Sequence, residues 1–303
     1  MRSRHVPARP DSTGLPAGGS IVDLHTHTTR SDGVLEPEQL LADVVAAGVR
    51  ILAITDHDSL AGYRELTAAR GAQPSLQVIP GVEINALARG IPNVDELHVL
   101  GFGVDPDDEA FEATLARQRA ARRVRFERTV VRLRELGLPI DAQVALLDLT
   151  RDDALGRPTI GRALIAAGHV RSVEDAFQRL IGHGGPAYVP RDGLGPLEAI
   201  AAIRAAGGLP ALAHFWDAPL RIDLLRELRE AGLGGLEVHH ISFPPETVAA
   251  VGEVATALAL VPTGGTDFHG DTGTYADAHA ALVVPEPVGT GLLSVLAGHA
   301  TRA

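Results

Sequence analysis

Short apolar segments rich in β-branched residues alternate with helical segments along much of this 303-residue chain. The pattern predicts seven strands, at Ile21–His27, Ile51–His57, Leu76–Asn85, His98–Val104, Leu209–Phe215, Leu236–His240 and Leu258–Asp267. It predicts helices between them, at Glu36–Ala47, Ser59–Ala69, Gly195–Ala206, Arg221–Ala231 and Pro245–Leu258. A chain that alternates strand and helix builds a parallel sheet with helices packed outside it. Seven strands therefore predict an α/β fold close to the (β/α)₈ barrel but one unit short.

The alternation is interrupted between the fourth and fifth predicted strands. Asp107–Leu136 predicts one long helix, and Ala142–Leu149, Thr159–Ala167 and Val173–Ile181 predict short helices after it. We therefore expect a helical insertion at 105–186 that caps the substrate site, within a barrel formed by 20–104 and 187–303. The first 19 residues are rich in Pro and Gly and predict a flexible tail.

Histidines and carboxylates lie at the end of nearly every predicted strand, where barrel active sites are found. His25 and His27 end the first strand, and residues two apart on a strand point to the same side, so that both can bind one metal ion. His98 is the exception, because it opens its strand. The other candidates are Asp32, His57, Glu83, His214, Asp267 and His269. We predict a cluster of Zn, Mn or Fe ions, because burying so many ionisable groups without a cation is costly.

Seven short motifs contain these residues, in order, over about residues 21–284. They are Asp23-Leu24-His25-Thr26-His27, Ser31-Asp32-Gly33, Thr55-Asp56-His57-Asp58, Pro80-Gly81-Val82-Glu83, Leu97-His98-Val99-Leu100-Gly101, Ala213-His214 and Gly265-Thr266-Asp267-Phe268-His269-Gly270. Together they resemble the PHP (polymerase and histidinol phosphatase) superfamily. Two further segments, Gly156-Arg157-Pro158 and Pro186-Ala187-Tyr188-Val189-Pro190, resemble the branch of PHP phosphoesterases that acts on nucleotides.

The resemblance implies a distorted (β/α)₇ barrel with a helical insertion and a site for three divalent metal ions, Mn²⁺ first, with Fe²⁺ or Zn²⁺ as alternatives. The residues alone do not group the candidate ligands. The resemblance assigns His25, His27, Glu83 and Asp267 to the first metal, Glu83, His98 and His214 to the second, and Asp32, His57 and His269 to the third. Asp56 and Asp58 are left over, either to orient His57 or to cap the next helix.

The same resemblance implies a phosphoesterase that acts on small nucleotides. The expected reaction is hydrolysis of the 3′-phosphate of nucleoside 3′,5′-bisphosphates, by attack of a hydroxide that bridges two metals. The first alternative is a 5′–3′ exonuclease on short RNA, and the second is a histidinol phosphatase, which the large insertion disfavours. A catalytically inactive PHP module is the non-enzyme alternative, and the complete ligand set argues against it.

The basic residues of this chain number 27, and every one of them is Arg. With no Lys and no Cys, the composition excludes a Lys Schiff base, a Cys nucleophile, a thiolate metal site, a P-loop Lys and disulfides. It also excludes the carbamylated Lys that bridges two metals in many amidohydrolases, and Glu83 is the predicted substitute. The net charge of −11 disfavours an extended nucleic-acid surface.

Arginines are concentrated in the predicted long helix, where eight Arg and one Glu between Arg117 and Arg134 give a local charge of 8 − 1 = +7. Helical spacing predicts that Arg119, Arg122 and Arg123 share a face, and that Arg125, Arg128 and Arg132 do so as well. Such a face can hold a second phosphate or an RNA backbone, because guanidinium groups match phosphate geometry. A solvated helix surface is the alternative. The predicted substrate contacts are Arg157, which the resemblance supports, and Arg119, Arg122 and Arg191.

The remaining expectations concern partners and location. We expect a small nucleotide or phosphate-ester substrate, with short RNA as the alternative, and no protein partner. His239 and His240 end the sixth predicted strand and are candidates for substrate contact. The chain shows neither a secretory signal nor an apolar run long enough to span a membrane, so we expect a cytoplasmic protein.

Overall fold

A single sheet forms the centre of this computed structural model, which describes residues 19–69, 75–91, 94–149 and 153–300. The predicted flexible tail lies outside the described residues, except for Gly19. The strands follow chain order as β1 (Val22–Asp23), β2 (Ile51–Ile54), β3 (Gln77–Leu87), β4 (Glu96–Phe102), β5 (Leu209–Leu212), β6 (Gly235–His240) and β7 (Val261–Gly265). Backbone hydrogen bonds join the two ends of the sheet, from Leu24 N to Gly264 O at 3.1 Å and from Asp267 N to His25 O at 2.8 Å. The predicted distorted (β/α)₇ barrel is confirmed.

β4 runs antiparallel to both of its neighbours, β3 and β5, whereas the other neighbouring pairs are parallel. The prediction of a wholly parallel sheet is therefore wrong at this strand. Residues 88–95 join β3 to β4, a connection too short for the crossover of a dozen or more residues that a parallel pair needs. Because β4 starts at the rim where β3 ends, His98 pairs with Asn85 and lies at the same rim as the other candidates.

The described helices number eleven; the first nine agree in position with the predicted ones, and the last two were not predicted. They are α1 (Pro37–Ala46), α2 (Ala61–Ala69), α3 (Glu109–Glu135), α4 (Asp141–Val144), α5 (Arg157–Ala166), α6 (Val173–Ala176), α7 (Pro196–Ala205), α8 (Ile222–Glu230), α9 (Pro245–Ala257), α10 (Tyr275–Ala281) and α11 (Glu286–Ala300). α4 is shorter than predicted, and a π-helical turn at Phe177–Ile181 continues α6. Among the described helices none alone is long and apolar enough to cross a membrane, although Tyr275–Ala281 and Glu286–Gly298 would suffice together, with a 99° bend between them.

The long helix α3 connects the barrel to the insertion. It begins at the N-cap Asp108, whose side chain accepts hydrogen bonds from the backbone N–H groups of Ala110 and Phe111 at 2.8 and 2.9 Å. Its first turns bury Phe111 and Leu115 in a hydrophobic cluster of the barrel. Its later turns bury side chains in a separate cluster made by the insertion, whose members include Phe126, Val130, Leu133, Ile160, Leu164 and Ile181. The insertion thus packs around a core of its own while α3 fixes it to the barrel.

Candidate metal centre

The nine predicted ligands converge at one rim of the barrel. The alternation of side chains along a strand explains the placement of four of them. Thr26 pairs with Phe268 between the ends of β1 and β7, and Phe268 lies in a hydrophobic cluster outside the barrel. The residues on either side of this pair therefore face the barrel interior: His25, His27, Asp267 and His269. The rings of His27 and His269 stack with centroids 4.1 Å apart.

The first group contains His25, His27, Glu83 and Asp267, whose ligand atoms lie within 4.8 Å of one another. Nε2 of His25 lies 3.3 Å from Glu83 Oε2 and 3.3 Å from Asp267 Oδ1. Nε2 of His27 lies 3.2 Å from the same two oxygens. The four side chains surround one point, as the ligands of one metal would.

The second group forms around the other oxygen of Glu83. Oε1 of Glu83 lies 2.8 Å from His98 Nδ1 and 3.3 Å from His214 Nε2, and the two nitrogens are 3.0 Å apart. His57 also approaches, with Nδ1 3.0 Å from Glu83 Oε2. Glu83 therefore presents a different oxygen to each group, which is the arrangement that a bridging carboxylate requires.

The third group surrounds Asp32. Oδ1 of Asp32 lies 3.2 Å from His269 Nε2 and 3.9 Å from His27 Nδ1, and its Oδ2 lies 3.5 Å from His57 Nε2. His27 and His57 each direct one ring nitrogen to this group and the other to Glu83. The three groups are thus contiguous.

Several atoms at the centre of these groups are buried without a hydrogen-bond partner, namely His25 Nε2, His27 Nε2, Asp32 Oδ1, His57 Nδ1 and Glu83 Oε2. Buried polar atoms left unpaired cost free energy, so a cluster of them needs an explanation. Divalent cations supply it, because imidazole and carboxylate atoms at this spacing are ligands for Zn, Mn and Fe. The residues present fit a metal cluster.

The electrostatics of the site keep its carboxylates charged. Burial alone would raise the pKa of Asp32, Glu83 and Asp267, but the surrounding histidines outweigh it and hold each pKa well below the usual value. Burial also opposes the charged form of His269, yet Asp32 and Asp267 raise its pKa to about 10. At His57 burial prevails and lowers the pKa to about 4. Metals bind the deprotonated forms, which the carboxylates already have.

Glu237 on β6 is a candidate site residue that the sequence analysis missed. Its Oε1 accepts a hydrogen bond from His25 Nδ1 at 3.0 Å, and its Oε2 accepts one from the backbone N–H of His214 at 2.6 Å. Partners of this kind orient metal-binding histidines. The available signal was a carboxylate between two apolar residues, Leu236 and Val238, of a predicted strand, where it is buried completely.

Asp56 and Asp58 take neither of their two predicted roles. Asp56 accepts hydrogen bonds from the backbone N–H and hydroxyl of Thr28 at 2.7 Å, and from the Ser31 hydroxyl at 2.6 Å. It therefore holds the loop that carries Asp32. Asp58 accepts a hydrogen bond from Arg122 Nε at 2.6 Å, which ties α3 to the barrel.

A cavity of about 180 Å³ opens beside the ligands. Three arginines of the insertion line it together with the ligands: Arg122, Arg125 and Arg157. Glu96 of β4 holds two of them, with Oε1 2.9 Å from Arg125 Nη1 and Oε2 3.0 Å from Arg157 Nη2. The guanidinium of Arg157 also lies 5.2 Å above the ring centroid of Phe177. The same cavity therefore contains a cationic wall of arginines and the candidate metal ligands.

The other predicted arginine contacts lie behind this wall. Arg119 donates to the carbonyl oxygen of Asp58 at 3.0 Å, and Arg191 donates to that of Asn85 at 2.6 Å; both side chains are buried. Arg125, Arg128 and Arg132 do not form one phosphate-binding surface, because Arg125 is buried and the other two are exposed. The solvated surface offered as the alternative does not describe Arg119, Arg122 or Arg125 either.

His240, a predicted candidate for substrate contact, lies next to the first group. Its Nε2 is 3.4 Å from Asp267 Oδ2, and its Nδ1 is 2.7 Å from the hydroxyl of Ser242. Its neighbour His239 lines a groove between β6 and α9 that is lined by no metal-ligand candidate.

Comparison with known proteins points to phosphate-ester chemistry. The model of the PHP domain family matches residues 23–133. The phosphoribosyl 1,2-cyclic phosphate 1,2-diphosphodiesterase of Eggerthella lenta is 34% identical over 274 residues, which cover 88% of this chain and 99% of that protein. The 5′-3′ exoribonuclease of Haemophilus influenzae is 32% identical over 82% of this chain and 89% of its own length. The 3′,5′-nucleoside bisphosphate phosphatase of Chromobacterium violaceum is 29% identical over 82% of this chain and 87% of its own length.

Among solved structures, a candidate metal-dependent phosphoesterase from Bifidobacterium adolescentis is similar to this chain in sequence and fold. It is 32% identical, with a TM-score of 0.79, over 92% of this chain and 96% of its own. The similarity extends through nearly the whole length of both proteins, so it includes the insertion as well as the barrel.

Proposed function

This chain belongs to the PHP family and is a metal-dependent hydrolase of phosphate esters, and from that premise we propose that it removes the 3′-phosphate of nucleoside 3′,5′-bisphosphates. The observation that carries the proposal is that one cavity contains both the metal-ligand candidates and the cationic wall of Arg122, Arg125 and Arg157. A bisphosphate needs two anion sites close together. The metal cluster supplies one and the wall supplies the other.

We propose three divalent ions, most readily Mn²⁺, with the ligand sets predicted from the sequence. His25, His27, Glu83 and Asp267 would hold the first, Glu83, His98 and His214 the second, and Asp32, His57 and His269 the third. When bound, the ions lower the pKa of the attacking water and offset the negative charge of the phosphate. Glu237 orients His25 and the backbone at His214, so that the ring nitrogens face the cluster.

The insertion at 105–186 acts as the cap of the substrate site in this proposal. It brings Arg125 on α3, Arg157 on α5 and Phe177 to the cavity, while the barrel contributes the ligands. A guanidinium has five N–H donors, and each of the two arginines directs one to Glu96. The remaining donors bind the second phosphate of the substrate. Arg122, which also lines the cavity, adds charge to the wall, and Arg119 and Arg191 support the wall from their buried positions.

The names of the three relatives support a substrate with two phosphates on one ribose. A nucleoside 3′,5′-bisphosphate contains this unit, as does each internal nucleotide of RNA, and a phosphoribosyl cyclic phosphate carries a second phosphate on the ring. The second candidate function is a 5′–3′ exonuclease on short RNA, which the similarity to the exoribonuclease favours.

A panel of substrates tests the proposal. Phosphate or nucleotide release is measured with Mn²⁺ on adenosine 3′,5′-bisphosphate, adenosine 3′-monophosphate, phosphoribosyl 1,2-cyclic phosphate and a 5′-phosphorylated RNA trimer. We expect the highest kcat/KM on the bisphosphate and no activity in the variant Asp267→Asn. A higher kcat/KM on the trimer or on the cyclic phosphate would replace the proposed substrate. Inactivity on the whole panel would refute the nucleotide proposal itself.

A further inference from the structure

A second cavity, of about 510 Å³, adjoins the metal centre. It shares Pro158, Phe177, Asp267 and His269 with the cavity that contains the cationic wall. A volume between about 300 and 1,000 Å³ is typical of sites for small molecules. Because the two cavities share a metal-ligand edge, one substrate can occupy both at once.

The lining of this second cavity differs in character from that of the first. Aromatic and aliphatic side chains make up much of it, including Val173, Phe177, Ile241 and Phe268. No arginine lines it among the described residues. Three acidic side chains do: Asp267 belongs to the candidate metal ligands, Asp271 pairs with Arg162 at 2.6 Å, and Glu174 accepts a hydrogen bond from Gln178 at 2.8 Å. The surface therefore suits an uncharged, flat group and not a phosphate.

We propose that this second cavity binds the nucleobase of the substrate. The proposal rests on the function proposed above and names the part of the substrate that the arginines and metals do not recognise. Phe177 lies between the two sites, since it lines both cavities and its ring packs against the guanidinium of Arg157. A nucleotide would then place one phosphate at the metal ligands, the other at the cationic wall, and its base against Phe177, Val173 and Ile241.

A base bound in the second cavity contributes to the affinity for the substrate. Adenosine 3′,5′-bisphosphate is compared with 1-deoxyribose 3,5-bisphosphate, which has both phosphates but no base. We expect a KM about tenfold lower for the adenosine compound, because stacking and burial of a base contribute about this factor or more. Equal kcat/KM for the two compounds would overturn the base site while leaving the phosphatase function in place. Inactivity on both would instead refute the proposed function.

Two variants locate the effect within the protein. Val173→Trp fills the cavity, and Thr272→Trp narrows it from an exposed position of its lining. The control is Val131→Trp, at an exposed site on α3. Calorimetry measures the binding of adenosine 5′-monophosphate and of ribose 5-phosphate to the metal-free proteins. We expect both cavity variants to bind adenosine 5′-monophosphate about tenfold more weakly than the native protein and to bind ribose 5-phosphate with unchanged affinity. The control variant should bind both ligands as the native protein does.

Thermal unfolding midpoints establish that each variant is folded, and the exposed Thr272→Trp keeps the test valid if Val173→Trp is unstable. An equal loss of affinity for both ligands in the cavity variants would show that the cavity does not bind the base specifically. Unchanged binding of both would show that the base lies elsewhere. Either result would overturn the inference.

Discussion

Glu237 Oε1 lies 3.0 Å from His25 Nδ1, and the second oxygen of the same carboxylate accepts the backbone N–H of His214 at 2.6 Å. One buried side chain thus supports members of two ligand groups. Burial opposes its ionised form, but His25 and His240 outweigh this effect and lower its pKa. The site therefore depends on a residue that need not contact a metal or the substrate.

Substitution of Glu237 tests this relationship. Glu237→Gln retains the shape of the side chain but removes its charge and one acceptor. We expect the affinity for Mn²⁺ to fall about tenfold to a hundredfold, because removal of an orienting partner has this effect in metal sites. Titration calorimetry of the metal-free protein measures it, with the exposed Glu253→Gln as the control. Equal affinities for the two variants would contradict the orienting role.

Metal binding should stabilise the fold, because it gives partners to the buried atoms of His25, His27, Asp32, His57 and Glu83. At free Mn²⁺ about 100 times its Kd, binding to the native state alone adds about 2.7 kcal/mol, which corresponds to a rise in Tm of about 5 °C. Scanning calorimetry with and without a chelator measures the rise. It should disappear in Glu83→Gln, and an unchanged Tm in the native sequence would argue against a metal site.

The cationic wall should act on the second phosphate alone. Arg125→Gln or Arg157→Gln should raise the KM for adenosine 3′,5′-bisphosphate about tenfold or more, since each removes a charged hydrogen-bond donor. The KM for adenosine 3′-monophosphate should change little. Arg128→Gln, on an exposed face of the same helix, is the matched control. Steady-state kinetics measure both KM values. An equal rise in KM for both substrates would indicate a general structural defect instead.

Metal affinity should rise with pH. Without metal, the pKa of His269 is about 10, because Asp32 and Asp267 outweigh the opposing effect of burial. The ring is therefore protonated at pH 7, and a metal must displace its proton. Affinity should increase as the pH approaches 10, with proton release detected by calorimetry in buffers of different ionisation enthalpy. The pH dependence of metal affinity should be weaker in His269→Asn. A metal affinity of the native protein that stays constant or falls as the pH rises would disprove the prediction.

Glu96 should contribute to stability at neutral pH. Burial would raise its pKa, but Arg157 and Arg125 prevail and hold the pKa well below the usual 4.5. A lowered pKa stabilises the fold above the unfolded value and loses that contribution as the pH falls. Glu96→Gln should therefore cost about 3 kcal/mol at pH 7 and progressively less below about pH 4.5. Urea unfolding at several pH values measures the difference, with Glu135→Gln, at an exposed site, as the control.

Local patterns in the sequence were sufficient for most of the barrel and for the convergence of its ligands. The spacing of His25 and His27 places both on one side of a strand, and the barrel geometry brings the strand ends together. The orientation of β4 was not accessible in the same way. The composition of an apolar segment does not indicate its direction. The pairing of His98 with Asn85 and the short connection from β3 show that β4 starts where β3 ends.

The arginines of α3 show a second feature that local sequence patterns did not predict. Arg122, Arg125 and Arg128 are spaced three residues apart, and local spacing places them on neighbouring positions of one helix. Contacts from elsewhere separate them: Asp58 pairs with Arg122 and Glu96 with Arg125, while Arg128 is exposed. Glu237 was missed for the same reason, because its partners His25 and His214 are distant in the chain.

The sequence by itself determined the fold class and the cluster of candidate metal ligands with its chemistry, since these follow from short-range periodicity and residue type. Tertiary structure alone decided which arginines face the ligands, which carboxylate supports the histidines, and how the second cavity adjoins the first. The physical reason is that charge pairing and burial join residues far apart in the chain. Their energies depend on distances that no local pattern specifies.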